Sequence, residues 1–184
     1  MRKIIPEKEN PVLRQKAKDV PIADIGSTHV QKLISDMKTL LAKEGYGVAL
    51  AAPQVGESLR LFIVSGRALA RGSRNAPDEI QSNEVTPHYI EPLADQVYIN
   101  PAVLKMSRTK KEKHEGCLSV RGKWGIIPRA EKTMLTAYDE KGEKFTRGAS
   151  GFLAHVFQHE MDHLDGILYT DKATDLYDDK PEEE

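Results

Sequence analysis

Cysteine occurs once in 184 residues, at position 117. A single cysteine excludes a disulfide within the chain. It leaves Cys117 as a small buried hydrophobe, a nucleophile or a metal ligand. Long apolar runs are also missing, and none approaches the roughly 20 residues that span a bilayer. The opening Met1-Arg2-Lys3-Ile4-Ile5-Pro6 lacks the apolar core and small-residue cleavage site of a secretory signal. It also lacks the Ser- and Arg-rich character of an organelle transit peptide. These absences predict a cytoplasmic protein with no membrane partner. There is no excess of one charge either: 27 Lys and Arg face 28 Asp and Glu, for a net charge of −1. That balance gives no reason to expect nucleic acid as a direct partner. What is present is 39% apolar and 30% charged residues, enough for one soluble domain with a core.

The charge imbalance is local. Residues 175–184 hold six acids and one base, so this tail carries −5 and the rest of the chain +4. With so few apolar side chains, the tail has little surface to bury against the entropy cost of ordering. A single domain over 1–174 and an unstructured acidic tail over 175–184 are expected. Within the domain, residues 1–22 read as an extended lead-in punctuated by Pro6, Pro11 and Pro21. Val30, Leu33, Ile34, Met37, Leu40 and Leu41 recur at helical spacing and predict a helix over 28–43, capped by Ser27 or Thr28. Strands are expected at 59–65, 97–104 and 133–139, the last turning through 140–143 into a partner at 144–147. Residues 66–95 have no clear period, and thirty such residues suggest an ordered surface excursion. Phe152, Leu153, Val156, Phe157 and Leu164 mark a helix over 150–164, closed by Gly166. Strands and helices do not alternate regularly, which argues for an α+β fold.

The last predicted helix contains His159-Glu160-Met161-Asp162-His163. Histidines at i and i+4 share one face, so both imidazoles can reach one ion. A glutamate beside the first can act as general base on a water at that ion. Alone, the pattern is as compatible with chance as with a metal site. His155 repeats the spacing, but eight helical residues rise about 12 Å, too far for one ion to take all three histidines. His155 is therefore read as a neighbour of the site. A third ligand is needed. A histidine six residues past His163 would supply it, but that position holds Tyr169, and the only downstream glutamates are Glu182, Glu183 and Glu184. Cys117, in Glu115-Gly116-Cys117-Leu118-Ser119, is the remaining strong ligand.

Glu115–Ser119, Gln158–Gly166 and Gly47-Val48-Ala49-Leu50-Ala51-Ala52-Pro53-Gln54 resemble the three motifs of peptide deformylase, in that family's order and roughly its spacing. The resemblance runs from Pro11-Val12-Leu13-Arg14 to Tyr169. It departs at Ala49, where the family favours the second glycine of Gly-x-Gly-x-Ala-Ala-x-Gln, and a methyl there could narrow the substrate groove. Residues 66–95 look longer than in the shortest members, and the tail lacks the apolar pattern of the C-terminal helix some members carry.

The resemblance implies antiparallel or mixed β-sheets packed around a central C-terminal helix that carries the metal motif, plus an N-terminal helix. It implies removal of the formyl group from the N-terminal formylmethionine of new polypeptides. The partners would be N-formylmethionyl nascent peptides, with transient proximity to the ribosome. Cys117, His159 and His163 would hold one divalent ion, natively Fe(II), with Zn, Ni or Co as substitutes. Glu160 would be the base, and the Gln54 side chain and the Leu118 backbone N–H would meet the oxyanion. Val48, Ala49, Leu118 and Val156 would line the substrate pocket, though each reads almost as well as simple core. Glu115 and Arg129 could pair to hold the cysteine loop. The competing readings are a His-Glu-x-x-His metallopeptidase, which gives Cys117 no role, and a catalytically silent metal-binding protein of the same fold, which gives Glu160 none.

Overall fold

The computed structural model describes residues 2–72 and 93–178. Helix α1 spans Thr28–Lys43, with the Ser27 hydroxyl accepting from the Val30 N–H at its start. The first two strands are β1 (Ala49–Ala51) and β2 (Leu61–Val64), followed by a short helix α2 (Gly66–Arg71). Then come β3 (Gln96–Met106), β4 (Lys110–Cys117), β5 (Val120–Ala130), β6 (Lys132–Tyr138) and β7 (Lys144–Ser150). Helix α3 spans Gly151–Leu164 and strand β8 spans Asp175–Asp178. Five strands form one antiparallel sheet in the order β1-β2-β3-β6-β7, and β4-β5-β8 form a second. The fold is α+β, as expected.

Side-chain alternation along the strands places α3. Leu50, Leu61, Ile63, Val97 and Ile99 point to one face of the larger sheet and pack on Leu33, Ile34, Met37 and Leu41 of α1. Their neighbours Ala49, Ala51, Phe62, Val64 and Tyr98 point to the other face and pack on Leu153, Val156, Phe157 and Leu164 of α3. A sheet apolar on both faces must be covered on both. α3 is the inner of the two covers, since it also meets β5 of the smaller sheet. No helix among the described residues is long and apolar enough to cross a membrane.

Several expectations need correction. The lead-in is not simply extended: Glu7–Glu9, Pro11–Arg14 and Ile22–Asp24 form single 3-10 turns. The β4–β5 hairpin is absent from the sequence reading. Lys110–Lys113 has no apolar alternation, and β5 contains Gly122, Gly125 and Pro128. Pro128 is tolerated because β8 reaches only Lys123 to Ile126, leaving a free edge beside it. The tail expected to be unstructured from 175 instead adds Asp175–Asp178 to β5 as an edge strand, and the rest of it lies outside the described residues. Backbone pairing, not side-chain burial, supplies its partners, and composition does not register that. Of the excursion over 66–95, α2 and residues 93–95 are described; the remainder lies outside the described residues.

Candidate metal centre and active site

Three elements bring the motifs together. Cys117 ends β4 and pairs with Val120 at the start of β5, beyond an irregularity in the ladder after Glu115. Such a bulge re-aims a side chain. α3 presents His159 and His163 on one face, their rings 4.8 Å apart. The ligand atoms of Cys117, His159 and His163 all lie within 4.8 Å of one another, and Cys117 Sγ is 3.3 Å from His163 Nε2. Nitrogen and sulfur ligands of one tetrahedral ion stand roughly 3.5 Å apart. The donors themselves fit a metal: one thiolate and two imidazoles. Two buried atoms of the same helix, His163 Nδ1 and Glu160 Oε2, have no hydrogen-bond partner among the described residues.

The site is electrostatically divided. Burial pushes Glu160 up to about 7, with Glu115 adding to the rise and His159 opposing it. Burial pushes His163 well below its usual value, which favours the neutral imidazole with one ring nitrogen unprotonated. His159 behaves oppositely. Burial would lower it, but hydrogen bonds to Cys117 and Glu115 hold it well above its ordinary range.

Behind His159 stands a buried ionic network. His159 Nδ1 is 2.8 Å from Glu115 Oε2, which fixes the ring and leaves Nε2 for the site. The expected Glu115–Arg129 pair is present and bidentate, at 2.5 and 2.9 Å. Arg129 also donates to Asp162 Oδ2 at 2.6 Å, and Lys172 Nζ donates to Asp162 Oδ1 at 2.6 Å. Burial alone would push Glu115 up. Hydrogen bonds from Arg129, His155 and His159 hold it well below the usual carboxylate range. The sequence reading missed Asp162 and Lys172. Asp162 stands inside the motif already singled out, and a buried acid at helical spacing was the available signal. Lys172 left none.

Gln54 occupies a 3-10 turn, Ala52–Val55, directly after β1. Its Oε1 accepts the Ala51 N–H at 2.8 Å, so the amide can be oriented only one way. Its Nε2 therefore faces the site, 3.5 Å from Cys117 Sγ and 3.4 Å from Ser119 Oγ. The lead-in braces this arrangement. The Ile5 N–H bonds the Gln54 carbonyl and the Glu7 N–H bonds the Ser119 carbonyl, both at 2.9 Å. Asn10 Nδ2 donates to the Pro53 carbonyl at 2.8 Å. The structure thus unites Cys117, His159, His163, Glu160 and Gln54.

It divides the expected pocket residues. Val48, Ala49 and Val156 share the core between the larger sheet and α3, whereas Leu118 packs with the α1 cluster. Ala49 is buried in that core against α3, so its extra methyl is accommodated by packing.

The polypeptide deformylase family model matches residues 1–179. The chain belongs to this family. Peptide deformylase of Symbiobacterium thermophilum is 42% identical over 168 residues, covering 90% of this chain and 64% of that one. Peptide deformylase 1A, chloroplastic/mitochondrial, of Arabidopsis thaliana is 37% identical over 163 residues, 89% of this chain and 58% of that one. The chain thus spans about three-fifths of the length of these two relatives. Peptide deformylase 2 of Nostoc is 38% identical, and the match covers 95% of this chain and 88% of that one. Among solved structures, the Legionella pneumophila peptide deformylase superposes with a TM-score of 0.71 at 33% identity, covering 95% of this chain and 86% of that one. The Thermotoga maritima enzyme gives 0.72 at 28% identity, covering 95% and 99%.

Proposed function

We propose that this deformylase-family chain hydrolyses the formyl group from the N-terminal formylmethionine of newly made polypeptides, releasing formate. One observation carries the reading: a buried, unpartnered Glu160 carboxylate beside the Cys117–His159–His163 donor set, with the Gln54 amide aimed at the same thiolate.

A divalent ion held by Cys117, His159 and His163 would polarise the formyl oxygen and the attacking water. Glu160, held up to about 7, accepts the proton of that water as its oxygen bonds to the formyl carbon. Gln54 Nε2–H and the Leu118 N–H donate to the oxyanion that develops. The carbon–nitrogen bond then breaks, and Glu160 returns the proton to the departing amine. Formate and a free methionine amino terminus result. Glu115 keeps the His159 ring oriented throughout. Val48 and Val156, which share one core cluster, are assigned to the methionine side-chain pocket, and Leu118 contributes through its backbone N–H.

Fe(II) is assigned as the native ion on the family resemblance; a thiolate with two imidazoles suits Fe(II) and zinc alike, and Zn, Ni or Co would substitute. The substrate, a nascent chain, places the protein transiently near ribosomes, in a cytoplasm. Formate release from formyl-Met-Ala-Ser, with acetyl-Met-Ala-Ser as control, tests the proposal. Release from the formyl peptide alone is expected, and a metal-loaded protein that releases no formate overturns it. Cleavage of internal peptide bonds would favour the metallopeptidase instead.

A further inference from the structure

His155 lies on α3 one turn before His159 and is not part of the Cys117–His159–His163 cluster. Its Nε2 is instead 2.9 Å from Glu115 Oε1. The Glu115 carboxylate is then complete. Oε1 meets Arg129 Nε and His155 Nε2; Oε2 meets the Arg129 terminal nitrogen and His159 Nδ1. The Glu115 side chain is 1% exposed and that of His155 13%. A buried carboxylate lone pair without a donor carries a desolvation cost, and no water-filled route is needed here because the second imidazole fills the position.

Glu115 and Asp162 pair with Arg129 and Lys172. With both Arg129 nitrogens and His159 Nδ1 in place, the last acceptor position of Glu115 is filled by the His155 Nε2–H.

We propose that His155 is a positioning residue for the metal centre. By donating to Glu115 Oε1 it holds the carboxylate plane so that Oε2 meets His159 Nδ1, and so aims His159 Nε2 at the site. The proposal rests on Cys117, His159 and His163 holding a metal, and its test separates the two. The full chain is loaded with Co(II), whose thiolate charge-transfer and ligand-field bands report the ligand set, and metal release to excess EDTA is followed. His155→Leu removes the donor at similar volume. It should release Co(II) about 10-fold faster than the parent, the low end of the range for losing the direct partner of a metal-binding histidine, because His155 acts one contact further out, with shifted ligand-field bands. His155→Gln restores a neutral N–H donor and should return release to within about threefold of the parent.

Release from His155→Leu at the parental rate overturns the proposal. So does equally fast release from His155→Leu and His155→Gln, which would make packing volume the cause. Should His155→Leu fail to fold by circular dichroism, His155→Met takes its place in the same comparison. A parent chain with no thiolate–Co(II) band would overturn the metal reading itself.

Discussion

Glu160 and Glu115 are both buried carboxylates, and their environments push them in opposite directions. Glu160 has no hydrogen-bond donor on Oε2 and is raised by burial to about 7. In the metal-free protein its folded pKa exceeds the unfolded value, so the folded state binds the extra proton. Stability is then lost as pH rises from about 4.5 through 7, by roughly 2–3 kcal/mol at about 1.4 kcal/mol per pH unit. Glu160→Gln should therefore stabilise the chelated protein at pH 8 and change little at pH 4.5, as read by urea melts at both. The same variant should keep its metal and lose about 10²–10⁴-fold or more in turnover, the contribution of general acid–base work. Metal loss instead would make Glu160 structural. Glu115 has the opposite sign. Its depressed pKa contributes stability that is present above about 4.5 and lost on acidification below it. Cys117→Ser removes the one soft ligand and should weaken metal retention during dialysis against chelator, or shift the preferred ion. Undiminished metal content would refute the ligand assignment.

At the scale of elements, the ends of the chain contribute more than composition suggests. β8 pairs with β5 from Lys123 to Ile126, and Leu176 lies over Gly125, where an added Cβ would meet Ala173 Cβ at 2.9 Å. β5 in turn holds β4, which carries Glu115 and Cys117. Truncation after Thr174 should cost about 1–2 kcal/mol, from the lost strand pairing and the lost His114–Tyr177 hydrogen bond. Truncation after Asp178, which keeps the strand, is the comparison. Equal Tm values for both truncations would show the strand to be energetically idle. The lead-in is the counterpart. Its Ile5 and Glu7 N–H groups tie the Gln54 turn and the Ser119 turn to one backbone segment. Deleting residues 2–9 should lower kcat more than it raises KM on a short formyl peptide, because Gln54 and Leu118, the proposed oxyanion donors, would lose their mutual placement.

In the whole molecule, the site is the seam between two sheets. Cys117 comes from the three-stranded sheet, Gln54 from the turn after β1 of the five-stranded sheet, and both histidines from the helix between them. An ion bound by both α3 and β4 would link these parts and stabilise the folded state by mass action, by about 4 kcal/mol at a thousandfold excess over its dissociation constant. Chelation should lower Tm and increase hydrogen exchange in Lys110–Ala130 more than in α1, which touches the other face of the sheet. Uniform loss of protection would argue against a seam. If Fe(II) is the working ion, activity of the isolated protein should decay in air and a nickel-substituted form should not.

Much was determined locally. The period of Val30 to Leu41 and the cap at Ser27 depend on neighbours three and four residues away, so α1 was legible to the residue. The His159–His163 pair was legible for the same reason, since an i, i+4 spacing on a helix fixes which face both rings share. The Cys117 and Gln54 motifs were legible only as resemblance, because their partners are 42 to 63 residues away in the chain. Tertiary structure alone decided the rest. The β4–β5 hairpin is polar and Gly- and Pro-bearing, and becomes a strand pair through a ladder that side-chain pattern does not encode. Asp175–Asp178 is an acidic run that pairs through its backbone. The Lys172–Asp162–Arg129–Glu115–His155 network joins four separate segments, and the buried charges of Glu115, Arg129 and Asp162 are tolerated because they meet one another and the exposed Lys172. Local pattern carries short-range geometry; the balance of buried charge exists only once distant segments meet.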